Sequence, residues 1–170
     1  MPSKFADAVN VEMRRIAADP RALFVGQSVE YDGAAMYASL DGVPTAQRLE
    51  MPVIEDFQMG FCIGLALKGK LPICLFPRFD FMLLAVNQLV NHLDKLPIFG
   101  WEPKVIIRTT VGQKVPLDAG PQHTQNYTDA FRAMLLSIPV IQVRSAAEVT
   151  WAYDFAREAP RSVLVVENPA

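Results

Sequence analysis

Glu55, Gly60 and Gly64 are the residues of this sequence whose types and spacing best suit a functional site. A carboxylate in the first turn of a helix lies beside free backbone N–H groups and the positive end of the helix dipole. Two glycines one turn apart lie on one helix face and let a second backbone approach closely. The spacing therefore predicts a helix that packs tightly against a neighbour and presents one acid at its end. The alternative interpretation is a glutamate that only favours the helix start.

Further polar residues that could belong to a functional site lie in turn-rich segments. Residues 110–126 have turn chemistry and no hydrophobic period, which is typical of a functional loop, and they contain His123. Imidazole transfers protons near neutral pH, although a lone histidine is commonly structural, as we expect for His92. Arg78 is either a solvated loop cation or a contact for an anionic substrate or a partner subunit. Gln122 is a weaker candidate for the same contact.

Composition argues against several classes of function. The chain has 170 residues, 51% hydrophobic and 20% charged, as expected for one ordinary globular domain with a real core. A net charge of −2 without clustered Lys and Arg argues against nucleic-acid binding. The scattered cysteines and histidines predict no metal site, and we expect Cys62 and Cys74 to be buried thiols. Without a bilayer-length apolar segment or an apolar signal region, we expect a cytoplasmic protein.

Apolar strands alternate with helical segments along the chain. Strands are predicted at residues 22–25, 71–76, 105–109, 140–143 and 162–166. Helices are predicted, with caps at Ser3 and Ser145, over residues 3–18, 55–69, 80–95, 127–136 and 145–158. This alternation indicates an α/β fold with a parallel sheet covered by helices on both faces. We expect one three-layer domain over residues 1–170.

The segment from Glu55 to Gly64 resembles the pyrimidine-binding (Pyr) domain of thiamine diphosphate-dependent enzymes, in the transketolase-like superfamily. That family's motif is Glu, four residues, Gly, an apolar residue, two residues and Gly, which Glu55, Gly60, Phe61 and Gly64 match. The resemblance is closest to the N-terminal half of the 2-oxo acid dehydrogenase beta subunit. Further segments match in the family's order: Tyr31-Asp32-Gly33-Ala34, Phe79-Asp80-Phe81, Gln122-His123-Thr124-Gln125 and Val163 to Asn168.

This resemblance implies a thiamine diphosphate-binding fold and gives roles to four residues. Glu55 would hydrogen-bond the aminopyrimidine ring of the cofactor and exchange a proton with it, which apolar burial favours. Phe79 and Phe81 would otherwise be core aromatic residues, but in the family this segment walls the same ring. Of the two, Phe81 keeps the family's spacing from the acid. The histidine that matches His123 handles protons or the substrate's oxygen.

Other parts of a complete thiamine diphosphate site are missing from the sequence. In the family, a separate domain with Gly-Asp-Gly and a later Asn holds the diphosphate through Mg²⁺, and no Gly-Asp-Gly occurs here. We expect the family's C-terminal domain, which would follow Asn168, to be absent too. We therefore expect thiamine diphosphate to be shared with a partner chain that holds the Mg²⁺. The expected assembly is a heterotetramer whose two small subunits pack through the Gly60/Gly64 helix.

The resemblance also implies an enzyme subunit that activates the cofactor for attack on the carbonyl of a 2-oxo acid or a ketose. Decarboxylation or carbon–carbon cleavage would follow, with transfer of the fragment to an acceptor. Dehydrogenase-like (oxidoreductase) and transketolase-like (transferase) reactions both remain open. The alternative is a non-catalytic, degenerate Pyr-domain protein that binds and regulates a partner. The joint presence of Glu55, Phe81 and His123 argues against such decay.

Overall fold

Six parallel strands form one sheet at the centre of the fold. The computed structural model describes residues 4–113 and 118–169. The strands are β1 (Ala22–Gly26), β2 (Arg48–Glu50), β3 (Leu71–Phe76), β4 (Ile106–Thr110), β5 (Val140–Val143) and β6 (Val163–Glu167). They lie in the order β2-β1-β3-β4-β6-β5, and all neighbouring pairs are parallel. The carboxyl ends of the strands therefore share one edge of the sheet, where α/β folds bind ligands.

Helices cover both faces of this sheet. The α-helices are α1 (Lys4–Ala17), α2 (Ala35–Ala38), α3 (Glu55–Leu67), α4 (Phe79–Met82), α5 (Thr128–Met134) and α6 (Ala146–Glu158). Because side chains alternate along a strand, Ile73 and Leu75 belong to the core beneath α1 and α6, whereas Cys74 and Phe76 belong to the core beneath α3 and α5. These two apolar cores explain the continuous apolar strands. The predicted α/β fold, with helices on both faces of a parallel sheet, is confirmed.

The helix predicted over residues 80–95 is not one regular helix. After α4 the chain forms a 3₁₀ turn over Leu83–Ala85 and a π-helical segment over Asn87–Leu93. The spacing of its buried residues accounts for the change, since they recur every three positions at first and every four later: Phe79, Met82, Ala85, Leu89 and Leu93. Tight turns keep the first of these residues on one face, and wider turns suit the later ones. The prediction of a single helix is therefore wrong.

Strand β2 has no counterpart among the predicted strands, because its three residues carry two charges and no apolar run. It forms by pairing with β1 at the edge of the sheet. The buried Arg48 donates to the carbonyl oxygens of Leu40 (2.6 Å) and Val43 (2.9 Å). These bonds fix the segment that joins β1 to β2. The position of β2 therefore depends on the charged side chain of Arg48, and the hydrophobic pattern does not predict it.

Several smaller predictions concern single residues. The Ser145 side chain caps α6 as predicted, accepting a hydrogen bond from the backbone N–H of Glu148 (3.3 Å). The predicted cap at Ser3 lies outside the described residues. Cys62 and Cys74 are free, buried thiols, as predicted. No helix in the described ranges is long and apolar enough to cross a membrane.

Asp94 ties the end of the π-helical segment to the segment that precedes β5. Its buried carboxylate accepts hydrogen bonds from the backbone N–H groups of Leu136 (2.9 Å), Ser137 (2.8 Å) and Ile138 (3.1 Å). The Ser137 hydroxyl donates a further bond of 2.9 Å. Hydrogen bonds to an ionised acceptor are strong. Removing the Asp94 carboxylate would leave three backbone N–H groups without their hydrogen-bond acceptor.

Asp94→Ala is therefore expected to lower the free energy of unfolding by about 2–4 kcal/mol, measured by urea denaturation. Asp94→Asn keeps one carbonyl oxygen and should lose less. The control is Asp129→Ala, because the Asp129 side chain is 95% exposed and, among the described residues, pairs only with Arg132 at the surface of α5. That change should stay within about 0.5 kcal/mol. Equal losses for Asp94→Ala and the control would contradict the role given to Asp94.

Candidate functional site

The carboxyl edge of the sheet holds a cavity of about 430 Å³. Most of its polar and aromatic lining comes from four strands and the segments that follow them: Ser28, Arg78, Phe81, Arg108, Thr110, His123 and Glu167. Phe5 of α1 and Ser39 after α2 also line it. Parallel strands bring these distant residues together at one edge. The structure thus brings the predicted residues Arg78, Phe81 and His123 into one cavity, whereas Glu55, Phe79 and Gln122 do not line it.

Glu55 begins α3 as predicted and is only 3% exposed. The side-chain amide of Gln27, also buried, donates from Nε2 to Oε1 of Glu55 at 3.1 Å. Within the described part of the chain, Oε2 of Glu55 accepts no hydrogen bond. One oxygen of this buried acid is thus held in place, while the other has no partner of its own in the described chain.

The segment after β1 is fixed by a second acid, Glu50 at the end of β2. Its carboxylate accepts hydrogen bonds from three successive backbone N–H groups, those of Ser28 (2.6 Å), Val29 (2.7 Å) and Glu30 (2.8 Å). Ser28 adopts the left-handed conformation, with φ of 61°, so consecutive N–H groups can converge on one anion. This turn places Ser28 in the cavity and Gln27 against Glu55, which links the two parts of the site.

Phe81, His123 and Arg78 form one group beside Gly112. The rings of Phe81 and His123 meet edge to face, with centroids 5.3 Å apart. A Cβ at Gly112 would lie 1.9 Å from the carbonyl oxygen of His123 and 3.3 Å from Cδ of Arg78, so only glycine permits this approach. Among the described residues, the buried Nδ1 of His123 has no hydrogen-bond partner. Nη1 of Arg78 donates to the adjacent Pro77 carbonyl (2.7 Å), which leaves other guanidinium donors for a ligand.

A buried ion pair forms another wall of the cavity. Arg108 donates from Nε to Oε1 of Glu167 (2.8 Å) and from Nη2 to Oε2 (3.0 Å). The Tyr153 hydroxyl donates to Oε1 of Glu167 (2.7 Å), and Arg108 also donates to the Ser39 hydroxyl (2.7 Å). Burial, together with the Glu167 carboxylate, raises the pKa of Tyr153 well above its usual range. Burial acts to lower the pKa of Arg108, but Glu167 and Tyr153 outweigh it and raise that pKa. Arg108 therefore stays protonated, Tyr153 keeps its hydroxyl proton, and the network joins α2 and α6 to the sheet.

Two other predicted site residues lie away from the cavity. Phe79 is fully buried and packs against the rings of Tyr127 (5.7 Å between centroids) and Phe131 (5.0 Å). It is part of the core beneath α3 and α5. Gln122 is exposed, next to His123.

The outer face of α3 is apolar and exposed. Phe57 is 55% and Phe61 37% exposed, and their rings stack with centroids 5.9 Å apart. A Cβ at Gly60 would meet only the side chain of Gln88, at 3.5 Å, and a Cβ at Gly64 would meet nothing within 4 Å. The close packing predicted for these glycines therefore has no counterpart within the described ranges.

Gln27, Glu50 and Arg108 contribute to this site but are not among the predicted site residues. Arg108 leaves a signal in the sequence, because an arginine inside an apolar strand needs a buried partner. Gln27 leaves none, since its partner Glu55 lies 28 positions away. No group of three or more His, Cys, Asp or Glu residues suited to a metal ion occurs in the described residues.

Several curated proteins are similar in sequence, although no family model matches the chain. The pyruvate dehydrogenase E1 component subunit beta of Chaetomium thermophilum is 27% identical over 159 residues, covering 90% of this chain and 41% of that protein. The Caenorhabditis elegans subunit is 28% identical over 171 residues, covering 95% and 47%. The motif-based resemblance to 2-oxo acid dehydrogenase beta subunits is thereby confirmed. The chain spans less than half the length of these curated relatives.

One solved structure is similar in fold. It is described as a split gene transketolase, inactive beta4 tetramer, and it matches with a TM-score of 0.73. The match covers 96% of this chain and 51% of that chain at 17% sequence identity. Identity this low shows a shared fold alone, and the fold agrees with the predicted transketolase-like architecture.

Proposed function

We propose that this chain is the pyrimidine-binding subunit of a split thiamine diphosphate-dependent enzyme. The observation that carries the proposal is Glu55, a buried acid at the start of α3 with one oxygen held by Gln27. Its other oxygen, without a hydrogen bond in the described chain, can exchange one proton with a ring nitrogen such as that of an aminopyrimidine. The beta-subunit relatives, which match over 90% or more of the chain, support the same proposal.

Thiamine diphosphate, when bound, supplies a nucleophilic carbon for addition to the carbonyl of a 2-oxo acid or a ketose. Glu55 would hold the aminopyrimidine by a hydrogen bond, and Phe81 would contact the flat ring. Phe79, fully buried in the adjacent core, would support this segment by packing. The half-buried Phe81 already meets His123 edge to face, so its ring orientation is set before any ligand arrives.

His123 and Arg78 would face the substrate from the cavity. The Nδ1 atom of His123, without a partner in the described chain, is available to exchange a proton with the substrate. The guanidinium of Arg78 would contact an anionic group of the substrate or of the partner subunit. Gln122, exposed beside His123, is a further candidate for that contact.

A separate chain would hold the diphosphate and Mg²⁺. The similar curated proteins are themselves named as subunits, which supports a site shared between chains. Two copies of this chain would pack through the exposed apolar face of α3, where Gly60 and Gly64 allow close approach. With two partner chains this gives a heterotetramer. The split transketolase neighbour is described as an inactive tetramer, and we expect this chain alone to be inactive too.

Two reaction classes fit the site. Similarity to pyruvate dehydrogenase beta subunits favours decarboxylation of a 2-oxo acid, and transketolase-like cleavage of a ketose is the second candidate. A non-catalytic regulator would need none of the proton-transfer groups that Glu55 and His123 provide. The cytoplasmic location stays a prediction, because several relatives are named as mitochondrial.

Glu55→Gln, in the complex with its diphosphate-binding partner, should slow hydrogen–deuterium exchange at the thiazolium carbon of thiamine diphosphate by roughly 10²-fold or more. The amide has nearly the shape of the acid but cannot exchange the proton. The control is Asp56→Asn, which removes an exposed charge from the same helical turn and leaves Glu55 intact. Proton NMR of the cofactor measures the exchange. Equal exchange rates for Glu55→Gln and the control would show that Glu55 has no role in proton exchange and acts only as a charge at the helix terminus.

His123→Ala should reduce turnover by roughly 10²–10⁴-fold while leaving exchange at the thiazolium carbon largely intact, because Glu55 performs the earlier proton transfer. The melting temperature should barely change, since a half-buried loop imidazole contributes little packing. His92→Ala, which removes an exposed imidazole, is the matched control and should keep full turnover. A destabilised but fully active His123→Ala variant would contradict the catalytic role proposed for His123.

A further inference from the structure

The contact between Gln27 and Glu55 suggests a specific task for an amide. Both side chains are buried, at 8% and 3% exposure, and Nε2 of Gln27 lies 3.1 Å from Oε1 of Glu55. We infer that Gln27 is a positioning residue that makes Oε2 of Glu55 the proton-exchanging atom. This inference rests on the proposed function, since it concerns how the acid meets an aminopyrimidine.

Backbone contacts on both sides hold Gln27 in position. On one side, Gly26 lies so close to β3 that a Cβ there would be 2.5 Å from the Leu75 carbonyl oxygen. On the other side, Glu50 binds the N–H groups of the next three residues. The Gly26 carbonyl also accepts a hydrogen bond from the N–H of Met51 (2.9 Å). Gln27 therefore has little freedom to follow Glu55 if the acid moves, and Glu55 must adopt the orientation that Gln27 sets.

The chemistry of an amide suits this task. An amide N–H donates a hydrogen bond but does not titrate near neutral pH, so it cannot compete for the proton that Glu55 exchanges. Because Oε1 already accepts a bond, a proton on Glu55 belongs on Oε2, which has no partner among the described residues. An acid at position 27 would add a second proton carrier, and an apolar residue would leave the carboxyl group free to rotate. The amide fixes the atom that exchanges without taking part in the exchange.

Gln27→Met tests the role of the donor, because methionine has a similar length but no N–H. In the complex with the diphosphate-binding partner, exchange at the thiazolium carbon should fall roughly 10–100-fold, as expected for loss of a hydrogen bond to a charged group. The matched control is Gln58→Met. Gln58 is a fully buried residue of α3, the helix that Glu55 begins, and its side-chain amide donates to the Leu75 carbonyl (2.9 Å). Its replacement should reduce stability but not the exchange rate per folded molecule.

Gln27→Glu adds a pH profile that a purely structural role would not produce. The new carboxyl group can donate to Oε1 of Glu55 only when it is protonated. Exchange relative to the wild type should therefore recover as the pH falls and decrease as the pH rises. If Gln27 only fills space, this ratio should not depend on pH.

A third measurement needs neither cofactor nor partner. In the NMR spectrum of the isolated chain, Glu55→Ala should shift the side-chain amide signals of Gln27 toward those of a solvated amide. The signals of Gln47, which bonds the Ala17 (3.1 Å) and Asp19 (3.2 Å) carbonyls, should stay in place. Unmoved Gln27 signals, or a Gln27→Met complex with wild-type exchange, would overturn the inference. A wild-type complex without exchange would instead refute the proposed function, and the NMR measurement would still test the contact.

Discussion

All six strands run in the same direction, so the polypeptide must return across the sheet after each strand and every strand ends at the same edge. This constraint decides where polar residues can meet. Ser28, Arg78 and Glu167 are spread over 140 positions of sequence, yet they line one cavity because each lies at or just after the carboxyl end of a strand. Arg108, inside β4, lines the same cavity. Glu55 begins α3, the helix that leads into β3, and is linked to this edge through Gln27, the neighbour of Ser28. The rest of the sheet is apolar on both faces and supplies a rigid base.

Charged side chains hold the connecting segments of the candidate site in place, with Glu50 exposed and Arg108 and Glu167 buried. Glu50 binds three backbone N–H groups after β1, and the Arg108–Glu167 pair reaches Ser39 in the segment after α2. The Arg108–Glu167 pair is costly to bury, but removing one partner from this satisfied pair costs more. These charged side chains therefore specify one arrangement of the segments around the cavity. Gln27 receives its position from this framework rather than from its own packing.

Hydrophobic pattern predicts most of the fold, because continuous apolar runs are specific for strands buried on both faces. The bounds of β3 agree with the prediction, and β6 is offset by one residue. The hydrophobic pattern did not predict β2, because two of its three residues are charged and it forms by pairing with β1 at the edge of the sheet. Motif spacing predicted Glu55, Phe81 and His123 as site residues, since a family motif fixes both residue type and position; the structure buries Glu55 and places Phe81 and His123 at the cavity. Gln27 could not be predicted, because its contact depends on a turn held by Glu50, more than 20 positions away.

If the chain supplies only the pyrimidine half of a shared site, most of the affinity for thiamine diphosphate must come from diphosphate and Mg²⁺ contacts on another chain. Titration calorimetry with thiamine diphosphate and Mg²⁺ measures this directly. The isolated chain is expected to bind more weakly than about 1 mM, whereas the chain with its diphosphate-binding partner should bind in the micromolar range and only with Mg²⁺. Tight, Mg²⁺-dependent binding to the isolated chain would contradict a shared site.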